Sequence, residues 1–223
     1  MPIARRGAFA RNGAKLSNNC IHPGVDLPED ARIGDFVVLG APPSVVLDEN
    51  VAPTRIGPGA RVRSHTVIYA GVTVGARFQA GHGALIREAT TLGDDVSIGS
   101  HAVIEHHVTI GNRVRVHSGA FIPEFSVLED DSWIGPCVVF TNARYPKSRR
   151  AKQELYGPRI GKGARIGAGA ILLPGVVVGA YALVGAGALV VENVPEGKVV
   201  VGSPARVQKD IADLEAYRDE VTP

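Results

Sequence analysis

The sequence predicts an all-β chain wound as a parallel β-helix, and three observations predict it. An apolar residue recurs every sixth position, at Ile56, Val62, Ile68, Val74, Ala80, Ile86, Leu92, Ile98, Ile104, Ile110, Val116, Ile122, Leu128, Ile134 and Phe140. A six-residue period matches neither a helix nor a plain alternating strand, but it matches three short strands closing one coil. Four residues after each marked position the side chain is small or β-branched, from Ala60, Thr66 and Val72 to Ser126, Ser132 and Val138, with Phe78 the exception. Both columns are expected to point into a narrow tube. Glycine follows the marked residue at Gly57, Gly75, Gly93 and Gly111 on one face and at Gly81, Gly99 and Gly135 on another. These glycines are expected to serve corners that need positive φ.

Residues 1–32 read as an N-terminal cap segment, and residues 33–206 as the β-helix domain. A weaker register starts at Ile33, Leu39, Val45 and Val51, then skips to Ile56. After Phe140 the pattern stops, and it resumes two residues out of phase at Ile160, Ile166, Leu172, Val178, Val184 and Val190. The intervening stretch, 141–159, is polar and basic and holds Pro146 and Pro158, so it reads as a loop extruded from the coil stack. Val207, Ile211, Leu214 and Arg218 stand at helical spacing and predict a short C-terminal helix in 207–223. Such a helix would cover an open end of the solenoid.

The composition suits this reading. The chain has 223 residues with 27 Gly but only 6 Phe, 5 Tyr and 1 Trp, as expected for tight corners around an aliphatic core. A net charge of +2 gives no global pointer to nucleic acid or membrane. Cys20 and Cys137 form no disulfide framework or zinc spacing, and Cys137 reads as a packing residue. The basic start is followed by no apolar run, so no signal peptide or membrane span is expected and the expected location is cytoplasmic.

The third face differs at its corner. The residue after the marked position there is Tyr69, Arg87, Glu105, Pro123 or Thr141, never Gly. One residue further on, a column eighteen apart reads Glu88, His106, Glu124, Asn142. Stacked coils place such residues about 4.8 Å apart. A carboxylate one coil from a histidine can fix its tautomer and stabilise its protonated form.

Three segments carry a resemblance. VIEHHVTIG, VLEDDSWIGPCVVFTNARYPKS and LLPGVVVGAYALVGAGALVVENVPEGKVVVGSPARV resemble the hexapeptide-repeat, left-handed β-helix acyltransferases, and in particular bacterial nucleotide-sugar N-acetyltransferases. The left hand is what the resemblance implies. The resemblance also implies a homotrimer with acetyl-CoA and acceptor meeting between subunits. It implies His106 as general base, with Glu88 and Glu124 beside it, for direct attack of an amino sugar's amine on the thioester. Asn142, His82, His117 and Arg87 are the candidate acceptor-binding residues. Pantetheine is expected along Gly167, Ala168, Gly185 and Ala186, with Arg206, Lys162 and Lys209 as candidates for CoA phosphates. The loop cations Lys147, Arg149, Arg150 and Lys152 suit a substrate diphosphate or carboxylate. His107 is expected to turn to a different side from His106, and His65 and His101 to lie on the surface or at an interface.

Other classes stay open at this stage. An O-acetyltransferase acting on a saccharide or natural product uses the same machinery. A metalloenzyme resembling the γ-class carbonic anhydrases would use His65, His101 and His106, but the Gln-Asp segment of those enzymes is absent, and no metal is expected. A non-catalytic β-helix scaffold would bind no CoA.

Overall fold

The computed structural model describes residues 18–43 and 52–220. Short strands wind in parallel into three sheets. Sheet A holds Val67–Tyr69, Leu85–Ile86, Val103–Ile104, Phe121–Ile122, Val139–Phe140, Ile171–Leu172 and Leu189–Val190 after two earlier strands. Sheet B holds Thr73–Val74, Thr91–Leu92, Thr109–Ile110, Val127–Leu128, Arg159–Ile160 and Val177–Val178, again after two earlier strands. Sheet C runs from Arg32–Ile33 through Arg61–Val62, Gln79–Ala80, Ser97–Ile98, Arg115–Val116, Trp133–Ile134, Arg165–Ile166 and Leu183–Val184 to a final pair. The chain visits C, A and B in turn, so each strand pairs with the one eighteen residues on: Ser97 with Arg115, Leu85 with Val103, Thr91 with Thr109. This is an all-β parallel solenoid with almost no helix, consistent with a left-handed β-helix.

Both predicted columns point inward. Ile68, Ile86, Ile104, Ile122 and Ile134 are fully buried, as are Val72, Val96, Val108 and Phe78. Each such aliphatic side chain contributes about 1.5–3 kcal/mol by leaving water. Three polar members of the second column find main-chain acceptors: Thr66 Oγ1 donates to Gly81 O at 2.9 Å, Thr90 Oγ1 to Glu105 O at 2.9 Å and Ser126 Oγ to Pro123 O at 2.8 Å, whereas the buried Ser132 Oγ has no partner.

Two insertions interrupt the stack. Leu128 pairs with Ile160, Ile134 with Ile166 and Phe140 with Leu172, a spacing of 32 instead of 18. The polar stretch after Phe140 is therefore an excursion from the corner between sheets A and B. The earlier one differs from the sequence reading. Leu39 pairs with Ile68, and the next strand of sheet B is Thr54–Ile56. Val45 and Val51 lie outside the described residues, so the weak register assigned to them is untested. The ladder also begins before Ile33, because Cys20–Ile21 and Val25–Asp26 already pair with the following coil.

At the other end the expected helix is replaced over its first turn by a strand. Ala205–Asp210 runs antiparallel to Lys198–Gly202, with Val207 exposed in it. Among the described residues two 3₁₀ turns follow, Ile211–Asp213 and Glu215–Glu220, and Ile211 is buried. The edge of sheet C at Lys198–Gly202 has backbone groups to satisfy, and a returning strand satisfies them where a helix would not.

The glycine corners also correct an expectation. Gly57, Gly75, Gly93, Gly111, Gly81, Gly99 and Gly135 are absent from the positive-φ residues. Their glycine is required by close approach. A Cβ on Gly57 would lie 2.3 Å from Gly75 O, and one on Gly99 2.3 Å from Ser118 N. The left-handed residue sits two positions later and is often not glycine: Arg77, Asp95, Arg113 and Asp131 all take it. Arg77 pairs with Asp95 at 2.5 Å and Arg113 with Asp131 at 2.6 Å along that corner. Each arginine holds its partner's carboxyl below the usual range, chiefly through the side-chain hydrogen bond.

Candidate active site

The corner between sheets A and B carries the polar column. It is built by the residues after Ile86, Ile104, Ile122 and Phe140, where the chain turns without glycine and leaves room for side chains. Asn142 Nδ2 donates to Glu124 Oε2 at 2.5 Å, and Glu124 Oε1 lies 3.4 Å from His106 Nε2. The His106 and Glu124 side chains are 25% and 23% exposed, accessible to a ligand yet shielded enough to keep their orientation. An ionised carboxylate only accepts hydrogen bonds, so Glu124 favours the Nε2–H tautomer and leaves the lone pair of neutral His106 on Nδ1.

His107 corrects the expectation that it faces away. Its Nδ1 lies 2.7 Å from His106 Nδ1, with the two rings 4.9 Å apart. The cause is its backbone: φ is +57°, and the left-handed turn swings the side chain back beside its neighbour. A strict alternation of sides holds in strands and fails at this corner. Phe125, at the equivalent place one coil later with φ +64°, lies against both imidazoles at 6.2 and 5.7 Å. The signal for both residues was available, since they precede the inward Val108 and Ser126.

Glu88 is engaged differently from Glu124. Arg87 Nη2 holds Glu88 Oε1 at 2.7 Å and Arg87 Nη1 holds Glu105 Oε2 at 2.7 Å. Burial opposes the charge on Arg87, but the hydrogen bonds with Glu105 and Glu88 raise its pKa. The column thus divides into an Arg87–Glu88–Glu105 ion cluster and an Asn142–Glu124–His106–His107 chain. One ligand atom each from Glu105, His106 and Glu124 lies within 4.8 Å of the others, a spacing that could admit a cation. Arg87 already neutralises Glu105 there.

The remaining histidine and pantetheine candidates lie at or near the other edge of sheet A, the corner that follows sheet C, whereas Lys162 follows a strand of sheet B. His82 and His117 are there, with Gly167, Ala168, Gly185 and Ala186 further along. His65, His82 and His101 form a ladder with Phe36: the ring centroids are 5.0, 5.0 and 5.2 Å apart in turn. His65 and His101 therefore sit on a different corner from His106 within one chain. His117 accepts from Arg115 Nε at 2.9 Å and packs on Trp133 at 4.7 Å. Burial, then the Arg115 charge, lowers the pKa of His117 and favours its neutral form. Gly167 answers a packing need, because a Cβ would lie 2.5 Å from Ala186 N, whereas Ala168 and Ala186 are exposed. Cys137, expected to pack, is exposed. Arg206 lies in the exposed return strand, and Arg150 in the extruded loop pairs with Glu154 at 3.0 Å.

The model of the bacterial transferase hexapeptide family (six repeats) matches residues 89–124 and 157–191. The first match includes His106 and Glu124, and the second includes Gly167 through Ala186. No curated protein matches the sequence. Among solved structures the chain is similar to a mutant of GDP-perosamine N-acetyl transferase from Caulobacter crescentus in complex with CoA and GDP-perosamine, at 23% identity over 65% of this chain and 57% of that one, with a TM-score of 0.39. It is similar to the acetyltransferase domain of PglB from Neisseria gonorrhoeae in complex with acetyl coenzyme A, at 22% identity over 64% and 57%, with a TM-score of 0.40. It is similar to a maltose O-acetyltransferase from Clostridium difficile, at 24% identity over 51% and 68%, with a TM-score of 0.41. The chain spans 57% of the length of each of the first two. Among the described residues, no helix is long and apolar enough to cross a membrane.

Proposed function

We propose that the protein transfers an acetyl group from acetyl-CoA to the amine of a nucleotide-linked amino sugar. The observation that carries this reading is the Asn142–Glu124–His106 chain at the corner between sheets A and B, where Arg87, Glu105 and Pro123 stand in the place that glycine takes at the other corners, within repeats that match the bacterial transferase hexapeptide. The acceptor's ammonium gives one proton to solvent to become the free amine, and the amine nitrogen must lose another as it attacks the thioester carbon. In the proposed mechanism His106 takes that proton on Nδ1, with Glu124 stabilising the imidazolium through Nε2–H, and His107 turning aside to admit the amine. The C–N bond forms first, giving a tetrahedral oxyanion; its collapse breaks the C–S bond, and the thiolate takes the proton from the His106 imidazolium to leave as CoA. Main-chain N–H groups at the coil corners are the available donors for the tetrahedral oxyanion. Acetyl-CoA is the co-substrate and supplies the activated acyl group. In this reading its pantetheine lies along exposed Ala168 and Ala186.

The same reading makes the active unit a homotrimer. Outward positions of sheet A are apolar throughout: Val67, Leu85, Val103, Phe121, Val139, Ile171 and Leu189. Sheet B mixes Thr73, Thr91 and Thr109 with Arg55, Val127, Arg159 and Val177, and sheet C mixes Arg32, Arg61, Gln79, Ser97, Arg115 and Arg165 with Trp133 and Leu183. Phe121, Val139 and Ile171 are 36, 38 and 41% exposed in the single chain, a continuous strip that water disfavours. Closing sheet A around a three-fold axis brings its two edges together from neighbouring copies. The His106 corner of one copy then meets the His82 and His117 side of the next. The Phe121→Glu variant is expected to run as a monomer in light scattering at micromolar concentration. A trimer retained by that variant would move the interface off sheet A.

The activity itself is tested by thiol release. Purified protein with acetyl-CoA is expected to release CoA in the presence of nucleotide-linked amino sugars and not of the corresponding hydroxy sugars. Release with hydroxy sugars alone would replace the N-acyl reading by the O-acyl one. Absence of CoA binding would remove both.

A further inference from the structure

Sheet C carries a charge that the acyl-transfer corner does not use. Arg32 and Arg61 pair directly across neighbouring strands, and Arg63 follows two residues later on the same side. The three guanidiniums line one cleft of about 610 Å³ with Ser64, Gln79, His82 and a single carboxylate, Asp35. Arg77, Arg87, Arg113, Arg150 and Arg159 are each ion-paired. Arg32, Arg61 and Arg63 have no ion-pair partner among the described residues. Like charges placed opposite each other on adjacent strands repel, so this cleft holds positive charge that a bound anion would relieve. Its rim continues into rings: Phe36 and His65, the residues after Asp35 and Ser64, stack at 5.0 Å with an interplanar angle of 30°. Phe36 is 49% exposed.

We infer that this cleft binds the nucleoside diphosphate portion of the acceptor, a deepening that rests on the proposed sugar-nucleotide reading. Planar guanidinium forks suit phosphate oxygens two at a time. An exposed aromatic ring suits the face of a nucleobase, and such stacking tolerates any base. Position along the solenoid supports the acceptor over CoA. Arg32 and Arg61 lie three and two coils before the coil of His106, and Gly167 and Gly185 lie three and four coils after it. At about 4.8 Å per coil the two groups are five to seven coils apart, roughly 24–34 Å. Acceptor and acetyl donor would reach the His106 coil from opposite ends.

The test is calorimetric titration of the full chain with uridine diphosphate, inorganic pyrophosphate and, separately, acetyl-CoA. Both phosphate probes are expected to bind. Arg61→Ala and Arg63→Gln are each expected to weaken both probes at least tenfold without lowering the melting temperature, because they remove like charges from an exposed face. Phe36→Ala is expected to weaken uridine diphosphate about tenfold and to leave pyrophosphate unchanged. Acetyl-CoA affinity is expected to stay constant throughout. Acetyl-CoA binding to the wild type without either phosphate probe would overturn the cleft and leave the acyltransferase reading standing. Loss of acetyl-CoA affinity in the arginine variants would assign the cleft to CoA's own diphosphate and overturn the acceptor assignment. Failure of the wild type to bind acetyl-CoA, with pyrophosphate still bound, would instead remove the acyltransferase reading on which the acceptor's identity rests.

Discussion

Replacing His106 with Asn is expected to lower kcat by about 10²–10⁴-fold, the range for losing a positioned general base. The KM for acetyl-CoA should change little, since the proposed pantetheine path lies three and four coils away. Folding should survive as well. His106 is a half-buried corner residue whose side chain meets Glu124, His107 and Phe125 and no member of the core column. Asn keeps a polar group near Glu124 but has no lone pair of comparable basicity. The measurement is steady-state thiol release alongside melting temperature and light scattering on the same preparation. Unchanged kcat with an intact trimer would take His106 out of the chemistry. The next candidate would then be His107, an exposed residue whose Nδ1 is bonded to His106 Nδ1.

The sequence shows the coil because the tube is built from one short-range rule. Every sixth side chain must fill the same narrow interior, so Ile68, Ile86, Ile104 and Ile122 announce themselves without any knowledge of their partners. The same arithmetic lined up His106, Glu124 and Asn142. It was silent on which carboxylate meets the histidine, because Glu88 and Glu124 are equidistant in coils. That choice is made by Arg87, which binds Glu88 and Glu105 and so leaves Glu124 for His106. The place of His107 was missed because a left-handed residue puts successive side chains on one side, and nothing in histidine's identity demands that conformation. The start of the ladder at Cys20 and the terminal strand Ala205–Asp210 were missed for a different reason. End coils bury less, so their apolar pattern is weak, and edge pairing is decided by backbone hydrogen bonds that carry no side-chain signature.

The corner glycines permit a sharper separation of causes, and the second large effect expected is on stability. Gly99→Ala is expected to destabilise the fold by about 3 kcal/mol, at the upper end for overpacking. Gly187→Ala is expected to cost about 1 kcal/mol, the strain of an L-residue in the left-handed region. The two glycines occupy the same corner and differ in what they face. A Cβ on Gly99 would lie 2.3 Å from Ser118 N and 2.4 Å from the carbonyl carbon of His117, so only a shift of the next coil's backbone makes room. That backbone is pinned by Gly99 N donating to Val116 O at 2.7 Å and by Phe121 N donating to Val138 O beyond it. Gly187 has φ +69° and nothing within 4 Å of the added carbon. Fourteen non-glycine positions among the described residues support the ordering, since residues as large as Arg77, Phe125 and Tyr181 adopt positive φ in this same chain. A left-handed corner is therefore tolerable here, and contact between successive coils is not. Urea unfolding of the two variants measures the difference. A larger loss for Gly187→Ala would show that turn conformation, and not the approach of neighbouring coils, dictates glycine at these corners.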